Sequence, residues 1–512
     1  MSVRTRTGKA IILALFPLFI ASCDGSPLGE GSPFGGGGRE VSASALQSAV
    51  AEPAARAFYQ ARQWQAAWDG KNEKQLVEII GGAMAHGLKP SLFLKEPLPD
   101  EPTDREAALT KGALAYASAL ARGHIDPTKL GVVYTIPRPK ADVAAGLAEA
   151  LEQGNLQDWF ESLVPQTDEY RALSEAHLAH VQRTAQARAA PVPEGKALKP
   201  GQRDPRLAVI AAALRANGYL PPPAQDAPPP QRYTPEMVAA VRRLQADYGM
   251  KPDAVVGPAT LGALNSGPAG RARQIAVALE RLRWLDRSPP ATRIDVNTAA
   301  TFLEYWRDGR RVDQRRVVVG EPGWETPQLQ SPMFQLVANP MWRVPDSILE
   351  DELAGASARY LARNGFEWRN GRLVQRSGPK NSLGLVKFDM RNGEHIYLHD
   401  TPAKALFAQP DRHKSHGCVR VEGALDFAAV LAGQDGILDD FMEDLRSGDE
   451  KYLKLKTEIP VRLLYHTAFW DGARVQFRAD PYGWDDNVAR ALGFERGPDR
   501  KPYLHKKGDV AP

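Results

Sequence analysis

Between residues 41 and about 185, apolar side chains recur every three or four positions in an alanine-rich background, the period of amphipathic helices. Leu76, Val77, Ile79 and Ile80 make one stripe, stopped by Gly81-Gly82. A second run covers residues 107–120 and ends at Arg122-Gly123, with Pro127 just beyond. Trp64 and Trp68 stand four apart and are expected to share a helix face. His124, His177 and His180 lie in the same region. With no third ligand nearby, the His-x-x-His spacing is read as surface and not as metal. Residues 41–190 are therefore expected to form a helical scaffold.

Proline breaks this texture from Pro191 to Pro200, and a compact unit follows over residues 204–266. Its first helix covers 207–214 and ends at Asn217-Gly218-Tyr219. A proline-rich insertion, 221–230, interrupts it. Thr234-Pro235-Glu236 then supplies an N-cap, a first-turn proline and an acidic residue to open a helix over 237–248. A linking helix is expected at about 271–285.

Beyond residue 290 the period drops to two. Residues 293–297 alternate; 301–306 and 315–320 flank Asp308-Gly309 as a hairpin, and 334–337 make another strand. Residues 386–390 and 396–399 flank Asn392-Gly393 as a second hairpin, and 461–465 and 474–477 supply late strands. Residues 346–380 look helical and then irregular, an insertion over the sheet. The pattern predicts a multidomain α+β protein whose mostly-β domain spans 290–485, followed by a C-terminal tail at 486–512.

Composition alters this picture little. With 65 basic and 61 acidic side chains the net charge is +4, and no basic block stands out to suggest nucleic acid. The N-terminus says more. Arg4, Arg6 and Lys9 precede an apolar run from Ala10 to Ile20, short for a permanent span and right for a signal peptide. The run closes in Ile20-Ala21-Ser22-Cys23, which resembles the lipobox of bacterial lipoproteins. That resemblance implies residues 1–23 as signal peptide, lipid on Cys23 and a membrane anchor. Asp24 resembles the inner-membrane retention signal of Gram-negative lipoproteins, which implies a periplasmic location. The alternative is a plain secretory signal. Residues 24–40 are a Gly/Ser/Pro tether.

Only two cysteines exist, Cys23 and Cys418. If the first carries lipid, the second has no disulfide partner and is either a reactive thiol or a small buried hydrophobe. Its surroundings favour chemistry. His416 stands two residues before it, and His399 ends the hairpin strand on which His395, Tyr397 and His399 alternate with Ile396 and Leu398. A thiol needs a neighbouring imidazole or positive field to become a nucleophile. Residues 422–431 read as a helix, so Cys418 is expected just ahead of a helix N-terminus, where the dipole favours a thiolate. The rival reading is a metal site of His399, His413, His416 and Cys418, but zinc would consume the thiolate and the spacing is unusual.

The stretch His399-Asp400-Thr401-Pro402, Leu406-Phe407 and Ser415-His416-Gly417-Cys418-Val419-Arg420-Val421 resembles the catalytic motif of L,D-transpeptidases. Asn339-Pro340, Trp342, Val344-Pro345, Leu383-Gly384 and Tyr482-Gly483 are similar too. The likeness is to the large periplasmic branch with an N-terminal scaffold. In it the compact unit at 204–266 resembles a small three-helix peptidoglycan-binding domain, either a binding module or a spacer. The resemblance implies Cys418 as nucleophile, His399 as base, His416 shaping the pocket and N–H groups at Gly417 and Cys418 as oxyanion hole. Arg420, Ser415 and Tyr397 would contact substrate, Arg420 by holding a stem carboxylate or by bracing the loop. The orienter of His399 is open between a side chain and a backbone carbonyl near Asp400.

The implied reaction uses peptidoglycan stem peptides as donor and acceptor. A tetrapeptide stem loses D-Ala, a thioester forms on Cys418, and a second stem's amine makes a 3-3 cross-link. The residues 346–380 would act as a lid against water. No cofactor is implied, and carbapenem-type inhibitors are expected to acylate the thiol. The alternatives are an L,D-carboxypeptidase, in which water resolves the thioester, and an inactive wall-binding lipoprotein.

Overall fold

The computed structural model describes residues 41–186, 190–225 and 228–495. The expected signal peptide, Cys23 and the expected tether lie outside the described residues.

The N-terminal part is helical, as its period requires. Its longest helix, Pro102–Arg122, opens with the Glu101 carboxylate accepting from the Asp104 N–H at 2.8 Å. It closes at Gly123 (φ 87°), where a Cβ would strike the Trp284 ring. Trp64 and Trp68 do not share a helix face. The helix Pro53–Ala61 has already ended, and Trp64 sits at φ 63° with its ring stacked on Tyr59. Trp68 follows in an irregular strap, its indole donating to Thr110 Oγ1 at 2.8 Å. The buried Glu106 carboxylate accepts from the Ala67 and Trp68 N–H groups, which satisfies that strap without helix.

His177 and His180 are buried, contrary to the surface reading. Tyr170, Leu173, His177 and His180 follow one another at helical spacing along Asp168–Gln186, so both imidazoles lie on its packed face. Burial lowers their pKa to about 4 and about 3, and both are neutral.

The compact unit consists of Leu207–Ala216, Pro235–Asp247 and the first part of the run Pro258–Arg283, which Gly267 (φ 60°) and Pro268 divide into two helices. Thr234 caps the second helix by accepting from the Met237 N–H. Leu207, Ile210, Leu214, Val241, Leu244 and Leu264 share its core. The second part of the run carries Ala276, Val277 and Trp284 into the scaffold core.

The mostly-β part has fourteen strands among the described residues: β1 Arg293–Asn297, β2 Phe302–Arg307, β3 Arg310–Gly320, β4 Leu329–Ala338, β5 Trp342–Arg343, β6 Phe366–Arg369, β7 Arg372–Gln375, β8 Val386–Met390, β9 Leu398–His399, β10 His413–Ser415, β11 Val419–Val421, β12 Lys451–Leu464, β13 Ala468–Trp470 and β14 Val475–Phe477. Nine pair in the order β10-β3-β11-β9-β8-β4-β12-β1-β2, and β2 pairs back onto β3. Eight strands thus close a ring, with β10 attached outside it. Val296, Leu303, Val317, Phe388, Leu398, Val419 and Val461 face its core. The helix Ala424–Asp435 joins that core through Phe427 and Leu431, each burial contributing about 2 kcal/mol.

Three local expectations are corrected here. Asn392-Gly393 does not form a two-residue turn. Lys387 and Phe388 pair with His399 and Leu398, leaving a wide loop in which the Asn392 side chain bonds both main-chain groups of Ile396. The insertion's second half is not irregular: β6 and β7 form a hairpin on Asn370-Gly371, both at positive φ (49° and 77°). With β5 they make a small sheet over a separate core of Trp342, Val344, Phe366, Leu373 and Leu383. Finally, the helix Trp484–Ala491 packs Val488 and Ala489 into the scaffold core, so the body continues past residue 485. Residues 496–512 lie outside the described residues.

Candidate active site

The expected site residues meet because two short strands run parallel. β9 and β11 pair with Leu398 beside Val419 and His399 beside Arg420. Leu398 and Val419 are fully buried in the ring's core, so alternation turns Tyr397, His399, Cys418 and Arg420 to the other side.

Cys418 is half-buried and free of any disulfide. Burial pushes its thiol up from the ordinary value. The Tyr397 N–H and hydroxyl and the charges of Arg420 and Lys387 pull the other way without prevailing. Cys418 does not stand at the start of the helix Ala424–Asp435, because the whole of β11 separates them along the chain. The expectation of a dipole-stabilised thiolate is therefore overturned, and the sulfur rests as a thiol.

The Tyr397 hydroxyl faces both the Cys418 sulfur and the Trp342 side chain. Burial, followed by the repulsion of a thiolate once Cys418 ionises, holds its own pKa well above normal. His399 is buried, and its Nδ1 lies 2.5 Å from the Asp400 carbonyl oxygen. A carbonyl only accepts, so Nδ1 carries the proton and Nε2 is the basic nitrogen. The ring's pKa falls to about 3, through burial first and the Arg420 charge second, against the carbonyls of Asp400 and Leu383. Imidazole and thiol are thus both neutral at pH 7. Among the described residues no hydrogen bond joins them, and the group against the sulfur is Tyr397.

The carbonyl that orients His399 is itself held. The Asp400 carboxylate accepts from the Leu385 N–H at 3.1 Å and pairs with Lys404. Gly384 (φ 63°) allows this approach, since a Cβ there would overlap the Asp400 carboxylate.

The loop carrying the sulfur is pinned from beneath. The Ser415 hydroxyl donates to the Cys418 carbonyl at 2.6 Å, and Thr326 Oγ1 donates to the Gly417 carbonyl at 2.7 Å. Thr326 Oγ1 in turn accepts from the Gly320 N–H at 2.9 Å. Gly417 (φ 102°) takes a backbone conformation that other residues resist. Because the peptide is trans, a Gly417 carbonyl turned toward Thr326 sends the Cys418 N–H the opposite way. Ser415 is buried and committed to this bracing, a placement that departs from the expected substrate contact. His416 is half-buried with its ring edge-on to Trp324 at 5.1 Å.

Sequence reasoning missed Thr326 and Trp324, which lie in a loop without periodicity or motif. Their only signal is the long spacing between β3 and β4. His413 turns elsewhere: Nδ1 meets Asp411 at 2.8 Å and Nε2 meets the Thr298 carbonyl at 3.0 Å. Among the described residues no group of three or more His, Cys, Asp or Glu side chains is placed to hold a metal ion.

Residues 291–459 match the L,D-transpeptidase catalytic domain family, 53–176 a scaffold domain and 203–264 a peptidoglycan-binding domain. A Haemophilus influenzae protein whose name provisionally calls it an L,D-transpeptidase is 28% identical over 219 residues. That stretch is 38% of this chain and 45% of the relative, so the match spans about half the relative's length. Solved L,D-transpeptidases from Mycobacterium smegmatis and Stackebrandtia nassauensis are each 14% identical, with TM-scores of 0.20 and 0.21. These alignments cover 34% and 54% of this chain, and 58% and 97% of the respective structures.

Proposed function

Taking as premise that the chain carries an L,D-transpeptidase catalytic domain, we propose that it forms 3-3 cross-links in peptidoglycan through a thioester on Cys418. One observation carries the reading: a neutral imidazole, its proton fixed on Nδ1 by a main-chain carbonyl, shares a strand face with a protonated, half-buried thiol.

As Sγ attacks the carbonyl joining the third stem residue to D-Ala, its proton passes to His399 Nε2. The carbonyl oxygen becomes an oxyanion, met by main-chain N–H groups of the Gly417–Cys418 turn. Collapse breaks the C–N bond, His399 returns the proton to the leaving amine, and D-Ala departs. A second stem's side-chain amine then attacks the thioester, passes its proton to His399, and releases the thiol. Arg420, beside His399 in register, suits a stem carboxylate. Its positive charge also keeps the ring unprotonated between steps.

Cys418→Ala should abolish D-Ala exchange in isolated muropeptides, and a carbapenem should add its mass to Cys418 in the unaltered protein. Exchange retained in the variant would refute the assignment. Mass analysis of products from a defined tetrapeptide separates cross-linking from trimming by water. The lipid anchor and the periplasmic location are part of the same proposal. Cys23→Ala should release the protein from membranes, and unchanged membrane association would contradict the anchor.

A further inference from the structure

The loop between β3 and β4 serves two distant parts of the chain at once. On one side it supports the sulfur. A Cβ on Gly417 would lie 3.7 Å from the Trp324 carbonyl oxygen and 3.8 Å from that of Glu325, so the loop runs along the turn. Thr326, fully buried, spends its one hydroxyl proton on the Gly417 carbonyl. The Gly320 N–H locates that hydroxyl. The Thr326 N–H meets the Tyr482 hydroxyl at 3.4 Å, and Tyr482 donates to the Gly320 carbonyl at 2.6 Å. Gly417 has no side chain to restrain its peptide plane, so the direction of the next N–H, that of Cys418, depends on the bond from Thr326.

On the other side the loop is held by the scaffold. The Thr135 N–H donates to the Gln328 carbonyl at 3.0 Å, and the Gln328 N–H donates to the Val133 carbonyl at 3.2 Å. Residues 134 and 328 thereby form a parallel bridge. Its bonds are main chain on both sides, which is why no motif marks it. Tyr134 and Ile136 are buried in the scaffold core, the Tyr134 ring edge-on to Trp284 at 5.6 Å. Farther along, Arg138 donates to the Arg122 carbonyl at 2.7 Å, at the end of the helix Pro102–Arg122. The arm 133–138 thus keeps its side chains in the scaffold and its main-chain groups on the loop, two residues from Thr326.

We propose that the scaffold is a working part of the active site: the arm 133–135 seats Gln328 and so holds Thr326 as a positioning residue that aims the Cys418 N–H at the developing oxyanion. The inference rests on the function proposed above. It adds to it a dependence of the acylation step on a segment far earlier in the chain, which contributes no side chain to the cleft.

The test separates the thiol from the oxyanion. Iodoacetamide alkylates the sulfur by displacement and forms no oxyanion, whereas a carbapenem acylates it through one. In the full chain, Thr326→Val should slow carbapenem acylation and kcat on soluble muropeptide about 10- to 100-fold, with KM within about twofold and alkylation unchanged. Thr326→Ser keeps the hydroxyl and should restore both rates. Thr135→Pro removes the N–H that seats Gln328, and Tyr134→Leu removes the ring that seats the arm. Each should slow acylation about tenfold, with alkylation again unchanged. Combined with Thr326→Val, either should add little further, because both act through one hydroxyl. Every variant is read beside the unaltered protein at a temperature below its own melting transition. An unchanged acylation rate in Thr326→Val overturns the inference. So does equal slowing of alkylation and acylation, which puts the defect in the thiol. Normal acylation in both arm variants, or effects that multiply with that of Thr326→Val, would confine the scaffold to stability and sink its part in the site. An unaltered protein that neither takes up carbapenem nor turns over muropeptide would refute instead the function proposed above.

Discussion

At the scale of single residues, the thiol and the imidazole have moved in opposite directions from their ordinary pKa values, and both movements favour the neutral form. Burial raises Cys418, while burial and the Arg420 charge lower His399 to about 3. His399 is therefore unprotonated throughout the neutral range and gains its proton only as pH falls toward about 3. The thiolate is scarce at pH 7 and grows as pH rises toward the raised thiol value. Alkylation of Cys418 by iodoacetamide should accordingly keep accelerating above pH 8, the ordinary thiol range being about 8.5. A rate that levels off near pH 6 would mean a resting thiolate–imidazolium pair instead. Tyr397→Phe removes a hydroxyl facing the sulfur and should raise the thiol further, shifting the same profile to higher pH.

At the scale of elements, what was legible in the chain was whatever depended on period and on local turn chemistry. β1, the β2–β3 hairpin and the Thr234 cap all follow from neighbours in sequence. The thiol and the histidine that the proposed reaction would use are placed by the same kind of signal, since a motif and an alternating strand carry them. What failed depended on partners distant in sequence. Trp64 left the helix because Glu106 satisfies the strap beside it, and His177 went inside because its helix packs against Pro258–Arg283 and against Gly82–His86, where Met84 meets the ring. Thr326, which pins the loop carrying Cys418, is 91 residues from the carbonyl it holds. The insertion gives this scale its prediction. Leu373 is buried in the separate core that also packs Tyr397, so Leu373→Ala should cost about 2–5 kcal/mol within the insertion. Under the proposed reaction, the ratio of hydrolysed to cross-linked product should rise while the melting of the ring is little changed. An unchanged ratio would show that the insertion does not exclude water.

At the scale of the whole molecule, buried charge ties the helical run Pro258–Arg283 to the scaffold on one side and to the helix Trp484–Ala491 on the other. The Glu280 carboxylate accepts from the Ile125 N–H, the Trp284 indole and Arg283, at 2.7, 3.0 and 2.6 Å. Arg281 meets Asp485 at 2.5 Å, and Asp485 also accepts from Thr467. Removing one partner of such a pair strands the other in low dielectric, so Glu280→Ala should cost about 3–5 kcal/mol. Scaffold and catalytic part should then melt together at a lower temperature; an early transition confined to the scaffold would show that they are independent. The closing of β2 onto β3 has a consequence of another kind. Of the nine strands, only three-residue β10 keeps an open side in this sheet. A neighbouring copy therefore finds almost no backbone template in the ring on which to add a strand, and edge-to-edge pairing is left to the short strands outside it.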